Sequence, residues 1–362
     1  MDRPPVFADE SFATALEKTR SSTRLLIVDA SAEWCGPCKQ MDRTTWRNLE
    51  VVSWFEANAT AIQIDVDQEK EWAQAHRISA MPTLIAFKDG AEYDRIVGGK
   101  QPRDLLDWLD GLLRGETVIG RLRALAGEGG TDVEKRYELA RGLLSDGKLA
   151  EATSEFAWLW EHMNEFNPGM TGVRVSYMAG DIETLVAQDE LARSRFRAIR
   201  DRTALRADLD GEARFDWIVL NEMLREVDAT LAWFDQVAAG GSAGSLDMKH
   251  LADRLIPLLL SRDRWADAAR LIEDGGNDLV RHHEMSVAHE LPSDFDEEMG
   301  KQIKEMGILS FRQKAAQTRH MLVAANRTEE AADVERKALA LDPSDEMKAW
   351  LARPRDQVLD GR

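Results

Sequence analysis

The chain has no long apolar run, no surplus of positive charge and almost no cysteine. No stretch is long and apolar enough to span a bilayer, and Met1-Asp2-Arg3-Pro4-Pro5 leads into no apolar signal core, so a cytoplasmic location is expected. Against 47 lysines and arginines stand 65 aspartates and glutamates, and the net charge of −18 argues against nucleic acid or an anionic membrane surface as partner. Two cysteines in 362 residues are too few for a disulfide-built scaffold. They are also too few for a closed zinc site, which needs about four ligands. Histidine does not make up the deficit: His282-His283-Glu284 and His289-Glu290 lack the spacing of a helical zinc pair and read as a solvated or capping cluster. No metal or bound cofactor is expected.

What is present is the placing of those two cysteines, in Trp34-Cys35-Gly36-Pro37-Cys38. Two thiols this close suit dithiol–disulfide exchange, provided that they lie between a strand and the start of a helix. Leu25-Leu26-Ile27-Val28-Asp29-Ala30 has the length and β-branched composition of a buried parallel strand, and Lys39 to Trp46 reads as helix. Cys35 is thus expected at a helix N-terminus, where unpaired N–H groups and the helix dipole favour a thiolate. Cys38, one turn further in, is expected to be more buried and less acidic. Cys35 attacks and Cys38 resolves. Asp29, closing an apolar run, is expected to be buried with a raised pKa.

With these residues the stretch from about 5 to 115 resembles a thioredoxin domain. Asp29 lies six residues before Cys35, where the resemblance implies a buried proton acceptor for the second cysteine. Ile78-Ser79-Ala80-Met81-Pro82-Thr83-Leu84 is similar to the family's cis-proline segment, opening a strand that continues through Phe87. Lys88-Asp89-Gly90 then reads as a hairpin turn, and Val97-Gly98-Gly99 resembles the glycine bend after the last strand. The resemblance implies an α/β fold with a central mixed sheet flanked by helices. It also implies a substrate-binding surface of Trp34, Gly36, Pro37, Met81 and Pro82, with the Met81 backbone pairing to an extended substrate segment. The redox group would be the Cys35–Cys38 disulfide, whose dithiol form reduces disulfide-containing proteins and is restored by a thioredoxin reductase.

Departures accompany the matches. Arg43 stands where many thioredoxins kink the active-site helix with proline, and Ser31 where they carry tryptophan. Gln63 falls where a lysine often partners the aspartate, which leaves Asp29 harder to ionise. The run from Lys39 to Trp46, with Asn48 and Val51, is similar to another thioredoxin-like branch. That branch includes the C-terminal domain of the bacterial membrane thiol–disulfide interchange protein.

Residues 1–115 hold 14 basic and 19 acidic side chains, so most of the negative charge belongs to the remainder. That remainder contains no cysteine and reads as helical. Leu139, Ala140, Leu143 and Leu144, then Leu149, Ala152 and Phe156, form two amphipathic segments around Gly147, similar to a tetratricopeptide hairpin. Weaker copies run from Leu251 to Ile272 and from Leu322 to Pro343, while about ninety residues between the first two fit no named repeat. The expected organisation is a thioredoxin-like domain at 1–118, a linker at 119–132, an all-α tetratricopeptide-like region at 133–352 divided around 238–246, and a tail at 353–362. This architecture resembles the bacterial chaperedoxins. Phe156, Trp158, Leu159 and Trp160 read more simply as helix packing than as a binding patch.

Three functions follow as expectations. One is a protein-disulfide reductase whose helices bind a partner or client protein. Another is a chaperedoxin-like holdase with redox protection secondary, and the last is a redox relay dedicated to one partner.

Overall fold

The structure is a computed structural model. It describes residues 3–359 apart from 21, 23, 128, 208–209, 240–247 and 288–296, with the backbone alone at 249 and 297–299. The division expected around 238–246 falls largely outside the described residues, as do His289 and Glu290.

After α1 (Phe12–Arg20), the apolar run forms β1 (Leu25–Ser31), buried along its whole length. β2 (Ala59–Asp65) lies parallel to it on one side and β3 (Thr83–Lys88) antiparallel on the other. β4 (Ala91–Val97) completes a mixed sheet in the order β2-β1-β3-β4. The β3–β4 hairpin turns through Asp89 at φ 54° and Gly90 at φ 79°, the left-handed pair that a tight hairpin requires.

Alternation along β1 divides the core. Leu25 and Ile27 pack with Trp46, Phe55 and Leu109 on one face, and Leu26 and Val28 pack with Ile62 and Ile85 on the other. The first face is covered by α2 (Gly36–Arg43), α3 (Leu49–Asn58) and α5 (Pro102–Leu113). The second is covered by α1 and α4 (Lys70–Ala75), through Phe12, Ala15 and Trp72. Asp29 continues the Leu25–Ile27 series, so the period of two carries its carboxylate beneath α2.

The helix expected through Trp46 stops at Arg43. The Thr44 hydroxyl donates to the Gln40 carbonyl at 2.9 Å, and its backbone leaves helical geometry at φ −121°, ψ −73°. Two adjacent β-branched threonines and this local bond end the helix without a proline. A 3-10 turn (Thr45–Arg47) follows, and Asn48 caps α3 by accepting from Glu50 N and Val51 N. The break drops Trp46 into the core, fully buried between Phe7 and Phe55.

Every element after β4 is helical among the described residues. The interval expected as linker is helix over most of its length, α6 (Val118–Ala126). Two bonds start that helix: Thr117 Oγ1 accepts from Gly120 N, and the buried Asp94 carboxylate on β4 accepts from Val118 N at 3.0 Å. Asp94 also accepts from Trp108 Nε1 at 2.9 Å, tying β4, α5 and α6 together. Asp132 then caps α7 (Val133–Ser145), which pairs with α8 (Leu149–Phe166) across Gly147, at φ 68°. α9 (Thr171–Val175), α10 (Tyr177–Gln188) and α11 (Glu190–Ala207) follow.

The chain separates into two compact units, Met1–Arg195 and Phe196–Arg362, with the boundary inside α11. The first therefore holds the sheet together with α6–α10. The second contains α12 (Gly211–Met223), α13 (Asp228–Ala239), α14 (Ala252–Ser261), α15 (Trp265–Ala269) and α16 (Gly275–Ser286). It ends with α17 (Glu297–Ala324), α18 (Thr328–Leu341), α19 (Asp345–Ala352) and α20 (Arg355–Leu359). Its core gathers Trp217, Phe234, Leu259 and Trp265, with a second cluster around Phe311 and Val334. The expected tail is helical from Arg355, and Val358 packs with Trp350 and Ala316.

Candidate active site

The β1–α2 junction places the cysteines. Cys35 is the N-cap of α2, Gly36 and Pro37 occupy the first two helical positions, and Cys38 N donates to Cys35 Sγ at 3.2 Å. Proline costs little there, because the amide hydrogen it lacks would have had no helical partner. Cys35 and Cys38 form a disulfide, with Cα atoms 5.3 Å apart. Cys38 is 1% exposed and Cys35 3%, so burial barely separates them in this oxidised state. Position separates them instead. Only the Cys35 sulfur occupies the cap, where helix N–H groups stabilise negative charge once the disulfide opens.

The surrounding loops complete the site. The Met81–Pro82 peptide bond is cis, and Met81 packs against both cysteines with Ala32 and Val66. Among the described residues no hydrogen bond engages the Met81 backbone. Pro82 C=O accepts from Gly98 N at 2.8 Å, with Gly98 at φ 84°, and Gly99 approaches Pro37 closely. Trp34 is 66% exposed beside the disulfide, and its Nε1 donates to Asp67 Oδ2 at 2.7 Å. Asp67, on the loop after β2, is a residue that sequence reasoning did not single out; nothing in its spacing marks it.

Asp29 lies in register with Gln63 on β2 and Leu84 on β3, on the face beneath α2. Burial pushes its pKa up to about 7, against a pull downward from the Gln63 hydrogen bond and a further push from the Asp42 charge. Gln63 Nε2 donates to Asp29 Oδ2 at 3.0 Å and also to Asp42 Oδ1 at 3.1 Å. Asp29 Oδ1 and Trp46 Nε1 are both buried without a regular hydrogen-bond partner. Asp42 stands within the quoted helix run, but its role emerges only from strand register and helix phase together.

Among the described residues, those away from the dithiol do not assemble a second metal-binding centre. His282 Nε2 lies 3.1 Å from Ser310 Oγ, and the His283 ring packs edge-on against Phe311. Among the described residues no group of three or more His, Cys, Asp or Glu side chains could hold a metal ion, and no helix is long and apolar enough to cross a membrane. Phe156, Leu159 and Trp160 are buried, while Trp158 stacks under the Arg136 guanidinium at 3.7 Å. Packing accounts for all of them.

Comparison with known proteins covers the same stretch. Residues 4–111 match the family model described as thioredoxin. A thioredoxin of Chlamydia trachomatis serovar D is 35% identical over 101 residues, which is 28% of this chain and 90% of that protein. A thioredoxin H-type protein of Oryza sativa subsp. indica is 34% identical over 92 residues, 25% of this chain and 72% of that one. A crystal structure of a Nicotiana alata thioredoxin matches at 29% identity and TM-score 0.26, covering 32% of this chain and 96% of that chain. The Cys35–Cys38 pair is accordingly a thiol–disulfide oxidoreductase centre, with the disulfide itself as its redox group. Through this N-terminal stretch, the chain belongs to the thioredoxin family.

Proposed function

We propose that the protein is a protein-disulfide reductase whose helical region binds the proteins it serves. The observation that carries this is the juxtaposition of a helix-capping sulfur, Cys35, with the unpaired backbone of Met81 at the cis-proline. An extended segment hydrogen-bonded to Met81 would lie across Trp34, Gly36, Pro37 and Pro82 and hold its disulfide against Cys35.

In the reduced protein, the Cys35 thiolate attacks a substrate sulfur. A Cys35–substrate disulfide forms, the substrate S–S bond breaks, and the departing thiolate takes up a proton. Cys38 then gives its proton to Asp29, and its sulfur attacks Cys35 Sγ and displaces the second substrate thiolate, which takes up a proton as Asp29 releases its own. Two electrons and two protons end on the substrate, and the protein ends in the disulfide state. Return of the two electrons needs an external dithiol donor, for which a thioredoxin reductase is the proposed source.

The domains act at 1–118 and 133–352 in this reading, in the cytoplasm and apart from nucleic acid and membranes. Exposed apolar side chains on the first unit's helices, Leu125 and Tyr177 among them, support partner contact. The test is reduction of a protein disulfide by the full-length chain, recycled by thioredoxin reductase. Activity lost in Cys35→Ser supports the reductase; a wild-type chain that turns over no disulfide refutes it. Client protection retained in Cys35→Ser/Cys38→Ser would favour the holdase reading instead.

A further inference from the structure

Asp29 is joined to a second carboxylate. One amide nitrogen, Gln63 Nε2, spends both of its hydrogens on the pair, so the bonded oxygens of Asp29 and Asp42 are at most about 6 Å apart. At that distance negative charge on one carboxylate raises the proton affinity of the other. The two differ in access to water. Asp29 is 1% exposed, whereas Asp42 and Gln63 line a cavity of about 900 Å³ beside α2 and the end of β2. Asp29 Oδ2 is taken by Gln63, which leaves Oδ1, buried without a regular hydrogen-bond partner, as the oxygen to receive a proton, while the Trp46 indole pulls weakly on the same carboxyl group.

We propose that Asp42 is a positioning residue for the resolving step, holding Asp29 through Gln63 and setting with its charge the pH at which Asp29 takes the Cys38 proton. The step is a proton transfer followed by exchange: the Cys38 S–H bond breaks, an O–H bond forms on Asp29, and the freed electron pair on Cys38 sulfur attacks Cys35 Sγ, breaking the Cys35–substrate disulfide and releasing the substrate thiolate. It rests on the reading that Cys38 resolves a mixed disulfide.

The other charges in reach come from several elements. Lys39 and Arg43 line the cavity from α2, and Arg47 donates to the Asp42 carbonyl at 3.0 Å; these cations oppose the coupling. Arg3 is paired with Asp9 at 3.1 Å, and Glu10 with Lys18. Glu33, Asp65 and Glu69 add negative charge at the wall. Leu84 and Trp46, which meet Asp29 from β3 and the 3-10 turn, carry no charge. Of these groups Asp42 alone shares a hydrogen-bond donor with Asp29, so its removal is the discriminating change.

The test is titration of Asp29 by carboxyl-carbon NMR in the reduced full-length protein, set beside the pH profile of single-turnover disulfide reduction. Asp42→Asn is expected to lower the Asp29 midpoint by about half to one pH unit and to move the low-pH limb of the profile the same way. Gln63→Lys, which puts a cation between the carboxylates, is expected to lower both further, and Asp42→Glu to restore the wild-type values. Midpoints unchanged in Asp42→Asn and Gln63→Lys overturn the coupling. A midpoint that moves while the reduction profile does not overturns the role in resolution. A wild-type chain that reduces nothing at any pH overturns the reductase reading itself, a result that the NMR midpoint distinguishes from loss of coupling.

Discussion

Asp29, the proposed proton acceptor, shows at the scale of one residue how such a group is made at a cost to stability. Its carboxyl group is buried on the central strand with one oxygen lacking a regular hydrogen-bond partner, and its pKa rises from 3.8 to about 7. Between those values the folded chain holds a proton that the unfolded chain has released, so stability falls as pH rises from about 4 to about 7. The full penalty, on the order of 4 kcal/mol, applies above that window and vanishes below it. Asp29→Asn removes the titrating group. Urea unfolding of the oxidised protein should find the variant more stable than wild type at pH 8 and no more stable at pH 4. An equal difference at both pH values would mean that burial does not set the Asp29 pKa. The cysteine pair at a helix start was legible from its spacing, and the burial of Asp29 and the cis bond before Pro82 from the resemblance to thioredoxins. Asp42 and Asp67 were not, since a charged side chain on a helix or loop looks solvated until the fold shows what it meets.

Elements were legible where apolar periodicity was strong. β1 and the α7–α8 hairpin fall where the pattern put them, and the hairpin's glycine has the left-handed conformation that a tight reversal needs. Two boundaries moved for local reasons: Thr44 ends α2 early, and the Asp94 carboxylate recruits Val118 to begin a helix in the expected linker. The hairpin also meets the redox domain. Arg77, which precedes the cis-proline segment, donates from Nη2 to the Asp146 carbonyl at 2.9 Å, and a Cβ on Gly147 would lie 1.9 Å from its Nη1. Gly147→Ala should therefore cost about 2 kcal/mol, from the left-handed backbone and from displacing a charged hydrogen bond. In Arg77→Ala the same change should cost only about 1 kcal/mol, the backbone share. A double-mutant cycle in urea checks this; additive costs would show that the turn does not close over Arg77.

Across the whole molecule, the recognisable chemistry occupies residues 4–111 and most of the negative charge lies beyond it. Between 171 and 239 no clean apolar stripe repeats: α11 is rich in arginine, and α12 is buried around much of its circumference. α12 buries Ala213, Trp217, Ile218, Val219 and Leu220. Burial on several faces erases the period that marks a helix boundary or a repeat. The chain's chemistry is assigned to Cys35, and partner binding is proposed for the helices. The most direct measurement of that assignment is a trapping experiment with full-length Cys38→Ser, incubated with a disulfide-containing protein and mapped by mass spectrometry. The account predicts a mixed disulfide between Cys35 and the substrate, stable until an added dithiol releases it and absent from Cys35→Ser. No adduct on Cys35 while the wild-type chain still reduces the same substrate would contradict it.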